Sequence, residues 1–192
     1  QTVTVDYSTS DGSATLADND YTAASGTITF APGETSKTIT VVTIGDTKNE
    51  PDETVNVNLS NALNATIADN QGVGTILNDD AAPTISINDV SVIEGGNLVF
   101  TVSLSNASYQ TVTVDYATSD GSATLADNDY TAASGMITFN PGETSKTVTV
   151  VTIGDTKYEP DETINVNLSN ASYATIANTL VVGYRGIRSI TQ

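Results

Sequence analysis

The strongest constraint on this chain is that it repeats itself. Residues 1–69 match residues 110–178 at an offset of 109, with nine substitutions, among them Thr27/Met136, Ile39/Val148, Asn49/Tyr158 and Val55/Ile164. Two segments this alike must fold alike, and the repeat length is that of one small domain. The 192 residues therefore read as a first domain over 1–80, a linker at Ala81-Ala82-Pro83, and a second domain over 84–192. Pro83 cannot donate to a strand ladder, which is why the boundary is set there.

Within each copy the apolar residues recur with period two. Val3, Val5 and Tyr7 alternate with Thr2, Thr4 and Asp6, Ile28 and Phe30 alternate with Thr27 and Thr29, and Val55, Val57 and Leu59 alternate with Asn56 and Asn58. Alternation of this kind places one face of a strand on a core and the other in water. Ala31-Pro32-Gly33-Glu34 reads as a turn, Pro fixing φ and Gly supplying the conformation other residues avoid. Ser36–Ile44 reads as the next strand, with a bulge near Val41 or a doubly covered end, because Ile39 and Val41 share a face while Val42 and Ile44 take the other. Gly74–Leu77 reads as a last strand, and no stretch keeps a helical period beyond two turns.

The second copy carries material that the first lacks. Thr84–Asn88 and Asn97–Ser105 read as two more strands, with Leu98, Phe100, Val102 and Leu104 on one face. A complete unit then has seven strands with frequent turn signals, which makes the expected fold all-β, two tandem seven-stranded immunoglobulin-like Greek-key sandwiches. The first is expected to lack its two N-terminal strands in this chain and to have an open edge and an exposed apolar face. Residues 179–192 depart from the repeat pattern and hold both Arg of the chain, Arg185 and Arg188.

Composition narrows the function. The formal net charge is -17, from 23 Asp plus Glu against 6 Lys plus Arg, so nucleic acid and anionic membrane would be repelled. No run of 18 apolar residues is present, so no membrane insertion is expected. The chain has no His and no Cys, which removes the commonest general base, the commonest transition-metal ligand and any thiolate. Chemistry by oxygen ligands is what is left. The acidic, Thr- and Asn-rich, Cys-free composition suggests an extracellular or cell-surface protein.

The acids are concentrated. Gly45-Asp46-Thr47-Lys48-Asn49-Glu50-Pro51-Asp52-Glu53 recurs as Gly154-Asp155-Thr156-Lys157-Tyr158-Glu159-Pro160-Asp161-Glu162, four carboxylates in eight residues each time, between two apolar-alternating segments. Asp-rich loops are often solvated turns, since Asp bonds its own backbone and tolerates the left-handed conformation. Like charge at this density also favours a hard cation with flexible geometry, Ca2+ rather than Mg2+.

The series Asp18-Asn19-Asp20-Tyr21-Thr22, Gly26 to Ile39, Gly45 to Glu53, Leu59-Ser60-Asn61-Ala62 and Ile76-Leu77-Asn78-Asp79-Asp80, repeated in the second copy up to Asn170-Ala171, resembles the Calx-beta motif. That resemblance implies Ca2+ bound at one end of an immunoglobulin-like sandwich. It is found in the regulatory region of sodium/calcium exchangers and in bacterial surface and adhesion proteins. By position it implies Asp20, Asp46, Glu50, Glu53, Asp79 and Asp80 as ligands in the first copy, and Glu94, Asp129, Asp155, Glu159 and Glu162 in the second. The first copy has no early Glu, the second no closing Asp run, and both have Gly45 or Gly154 where strong binders have another Asp.

The expected function is a non-enzymatic structural or adhesive module of a longer extracellular protein, stiffened by Ca2+ between its domains, the first-copy site being the better formed. Its expected partners are neighbouring repeats or other copies of the chain. Two further readings stand beside it: a strand-exchanged filament subunit and a Ca2+-sensing regulatory domain.

Overall fold

The computed structural model describes residues 1–177 and, beyond them, the backbone of Val182–Gly183 and Ile187–Arg188. Among the described residues every regular element is a strand. The chain forms two compact units, residues 1–47 with 51–79, and residues 48–50 with 80–192. The sequence break at residues 81–83 does not show that Lys48–Glu50, inside the first acidic loop, groups with the second unit. Asn49 accounts for this, donating its N–H to the Ala107 carbonyl at 3.0 Å and accepting from the Tyr109 N–H at 3.1 Å.

The first unit is one antiparallel sheet of four strands, β1 (Val3–Asp11), β2 (Ser25–Phe30), β3 (Glu53–Leu63) and β4 (Gln71–Ile76), in the order β2-β1-β3-β4. Its fully buried apolar core is small, Ala14, Tyr21 and Val55, with Val41 and Ile76 packed beside them. The turn at Ala31–Glu34 forms as the sequence implies, with Gly33 at φ 93° and Glu34 N–H donating to the Ala31 carbonyl at 2.9 Å.

The second unit has two facing sheets. One holds β5 (Thr84–Ile87), β7 (Asn97–Leu104), β10 (Ser145–Val151) and β12 (Thr175–Ile176) in the order β10-β7-β5-β12. The other holds β8 (Val112–Asp120), β9 (Ser134–Phe139), β11 (Ile164–Ser172) and β13 (Val182–Gly183) in the order β13-β11-β8-β9. The short β6 (Val92–Ile93) pairs in parallel with β14 (Ile187–Arg188). Leu98, Phe100, Val102, Val148 and Val150 from one sheet meet Val112, Val114, Ile137, Phe139, Ile164 and Val166 from the other, all buried. Alternation thus separates core from solvent here, as period two requires. The expected departure of residues 179–192 falls mostly outside the described residues.

Two sequence expectations are corrected. Ser36–Ile44 is not a strand in the first unit, although Ser145–Val151, which differs from Ser36–Val42 by a single Ile-to-Val change, is one in the second. The cause is the partner: β10 pairs with β7 from Ser145↔Ser103 to Val151↔Asn97, and residues 1–80 hold no counterpart of β7. Nor is there a bulge in β10, whose register runs without a shift. Burial continues instead onto Thr152, which donates its hydroxyl to the Gly96 carbonyl at 2.8 Å, and Val151 is left exposed.

Candidate metal centre

The second unit gathers five carboxylates at one end. Glu94 follows β6, Asp129 closes the loop between β8 and β9, and Asp155, Glu159 and Glu162 lie in the acidic loop between β10 and β11. They fall into two groups, Glu94 with Asp155 and Glu159, and Asp129 with Glu159 and Glu162, and within each group carboxylate oxygens lie within 4.8 Å of one another. Glu159 belongs to both.

Local hydrogen bonds set these positions. Asp129 is buried and its Oδ2 accepts the Thr124 N–H at 2.7 Å, while its carbonyl accepts the Ile153 N–H at 2.8 Å. Asn128, before it, is held at φ 66°, a conformation Asn tolerates better than most residues. Asp155 donates its N–H to Glu94 Oε1 at 2.9 Å and accepts the Lys157 N–H on Oδ1 at 2.7 Å. Tyr130 is anchored below, its hydroxyl donating to Asp120 Oδ1 at 2.7 Å. Burial and that carboxylate push its phenol up to about 12. Tyr130 is therefore a core tyrosine, and Asp120 is its anchor.

The electrostatics are those of crowded anions. Burial, and after it the charges of Asp129 and Glu159, hold the Glu162 carboxyl above its usual range. One cation is built in: Lys157 Nζ lies 2.5 Å from Glu159 Oε1, and that contact raises the lysine's proton affinity. Asp127 adds its field to both Lys157 and Glu162. Sequence reasoning passed over Asp127 and Lys157; the Asp-Asn-Asp run at Asp127–Asp129, with two acids flanking a left-handed Asn, was the available signal.

The first unit is less complete. Asp20 is buried, accepts the Thr15 N–H on Oδ2 at 2.6 Å, and comes within 4.8 Å of Glu53. Glu50 is half-buried in the segment that groups with the second unit, where Lys48 pairs with it. Among the described residues Asp46, Asp79 and Asp80 enter no group of three carboxylates. Asp46 and Asp79 are exposed, and Asp80 falls in the second unit. The better-formed cluster is in the second copy.

A donor set made of carboxylates alone, without nitrogen or sulfur, and already crowded enough to raise a proton affinity, fits a hard divalent cation. These groups can hold an ion.

The Calx-beta domain profile matches residues 1–85 and again 78–184. The chain belongs to the Calx-beta family. Sodium/calcium exchanger 2 of human, mouse and rat is 33% identical over 192 aligned residues, 88% of this chain and 20% of the exchanger. Sodium/calcium exchanger 1 of dog is 32% identical over 184, covering 84% and 19%. The chain thus spans about a fifth of the length of these curated Calx-beta relatives. In fold it is similar to a crystal structure of the apo-form Calx CBD1 domain, with TM-score 0.53 and 23% identity, covering 58% of this chain and all of that one.

These relatives overturn the extracellular or cell-surface placement. Over most of its length the chain aligns with a part of proteins named sodium/calcium exchangers rather than with a secreted stalk. The composition was a poor guide because acidic, Cys-free sequence suits an intracellular loop equally well. A chain without thiols carries no record of its redox compartment.

Proposed function

We propose that this chain is a Ca2+-responsive regulatory tandem of Calx-beta domains with no catalytic role of its own, its principal site being the second-unit cluster of Glu94, Asp129, Asp155, Glu159 and Glu162. The observation that carries this reading is the Glu159 carboxylate shared by two groups of acids. A shared carboxylate lets two neighbouring cations neutralise five anions, and among the described residues Lys157 is the cation paired with the cluster. Asp20 and Glu53 would serve as a weaker site in the first unit.

Two features support a regulatory role over a catalytic one. The acids sit on loops at the end of a sandwich, and the chain has neither His nor Cys to act as base or nucleophile. The relatives over most of the chain are exchangers that carry calcium in their name. Ca2+ would tie the loop after β6, the loop before β9 and the loop after β10 to one another, which stabilises the folded state by mass action.

The test is a calorimetric titration of the chelator-treated chain with CaCl2, and with MgCl2 as comparison, followed by melting with and without Ca2+. Saturable Ca2+ binding that raises the melting temperature and is lost in Glu159→Gln is expected. Absence of binding to the parent chain at millimolar Ca2+ would reject the reading.

A further inference from the structure

Four consecutive residues just after β10 hold both of the loops that face the acidic loop in the second unit. Thr152 is buried, and its N–H and its hydroxyl both donate to the Gly96 carbonyl, at 3.1 and 2.8 Å. Ile153 donates its N–H to the Asp129 carbonyl at 2.8 Å. Gly154 lies against Gly95, and Asp155 donates its N–H to Glu94 Oε1 at 2.9 Å. Residues 152–155 thus fasten the Glu94 turn at three points and the Asp129 loop at one.

The Glu94 turn has the shape this approach needs. It closes through the Gly96 N–H on the Ile93 carbonyl at 3.0 Å and holds Gly95, third of its four residues, at φ 81°, where a side chain would be strained. Space is as short as torsion, since a Cβ on Gly154 would meet the Gly95 nitrogen at 3.4 Å and the Glu94 carbonyl carbon at 3.6 Å. Both glycines are exposed, so their contact covers no apolar side chain and adds nothing to the core. What it fixes is the position of Glu94, near enough to the facing loop for its carboxylate to accept a backbone N–H.

We propose that the Gly95–Gly154 contact is a clasp that sets the Glu94 arm of the cation site in place before a cation arrives, which makes these two glycines positioning residues for an ion held by Glu94, Asp155 and Glu159. This role rests on the cluster being the Ca2+ site proposed above. Crowded carboxylates repel one another, and without the clasp Glu94 would turn out into water. With it, the entropy of ordering the Glu94 side chain is lost on folding and not on binding, which strengthens binding. Asp129 does not depend on the clasp, because Thr124 and Ile153 fix it instead. The two groups that share Glu159 are therefore separable: a change at Gly154 weakens the Glu94 group and spares the Asp129 group.

The experiment compares the parent chain with Gly154→Ala, Gly95→Ala, Glu94→Ala and the double variant Glu94→Ala/Gly154→Ala, each shown to be folded by slow amide exchange in β8 and β11. The first readout is amide hydrogen exchange at Asp155 in the chelator-treated chain. It should quicken by at least about threefold in every single variant, because Glu94 no longer holds that N–H. The second is titration with CaCl2. Gly154→Ala should weaken one class of binding by at least about threefold, leave the class carried by Asp129 and Glu162 unchanged, and do nothing further once Glu94 is already Ala. A purely structural effect would instead add to that of Glu94→Ala, and additive losses overturn the clasp. So does intact Ca2+ binding that Gly154→Ala does not weaken, or Asp155 exchange that it does not change. No Ca2+ binding by the parent chain rejects the site itself and the positioning role with it.

Discussion

Glu94 Oε1 accepts the backbone N–H of Asp155 at 2.9 Å, which ties the loop after β6 to the loop after β10. Next to this bond the backbones of Gly95 and Gly154 touch: a Cβ on Gly154 would lie 3.2 Å from the Gly95 Cα. Gly95 itself sits at φ 81°. The absence of an Asp at position 154 thus has a steric reason in this copy.

Position 45 has no such restriction, for nothing lies within 4 Å of the Cβ it would gain. Gly154→Asp should then destabilise by about 1–3 kcal/mol, because the Gly95 backbone must give by a few tenths of an ångström to admit the Cβ. Gly45→Asp should stay within about 0.5 kcal/mol, as exposed substitutions usually do. Urea denaturation of both variants without Ca2+ separates them, and equal stabilities would show that the Gly95 loop yields freely.

Glu159 is the one carboxylate common to both acid groups, whereas Glu94 and Glu162 each enter one. Glu159→Gln should therefore weaken Ca2+ binding by more than either Glu94→Gln or Glu162→Gln, and by at least about tenfold, or about 1.4 kcal/mol. Calorimetry gives the order directly. Equal losses for the three variants would mean that Glu159 is not shared in solution.

How much of this was legible in the residues can be judged from particular elements. The alternation of Leu98, Phe100, Val102 and Leu104 gave β7 and its buried face outright, because strand period and burial are local properties of the sequence. Ser36–Val42 carries the same alternation and is no strand, because pairing depends on a partner far away in the chain, and alternation alone cannot report whether one exists. At the site, repeated acids and the family resemblance pointed to the carboxylates gathered in the second unit. The sharing of Glu159 and the Lys157 ion pair depend on how loops close, which the spacing does not encode.

The raised proton affinity of Glu162 has a definite sign for stability. Its folded-state value lies above the ordinary 4.5, chiefly through burial and then through Asp129 and Glu159. The stability it contributes is present in full below 4.5 and is lost as pH rises through the folded value, because the native state there holds the proton more tightly. At neutral pH the ionised group is a liability that a cation relieves. Glu162→Gln should melt above the parent at pH 7 without Ca2+, match it near pH 4, and fall below it in saturating Ca2+. Melting curves at the two pH values check this, and a variant that melts below the parent without Ca2+ at pH 7 would contradict it.

Phe139 and Phe30 are the same residue in the two copies, one fully buried between two sheets and the other half-buried over an open cavity. Removing the ring from a closed core loses its transfer free energy and leaves a void, a cost of about 3–5 kcal/mol. At an open face water already reaches the ring, no enclosed void forms, and the loss is about 1 kcal/mol. Phe139→Ala should accordingly cost several times what Phe30→Ala costs, each read in the hydrogen exchange of its own unit, β8–β9 for the first and β1–β2 for the second. Equal costs would mean that the first-unit face is covered in solution.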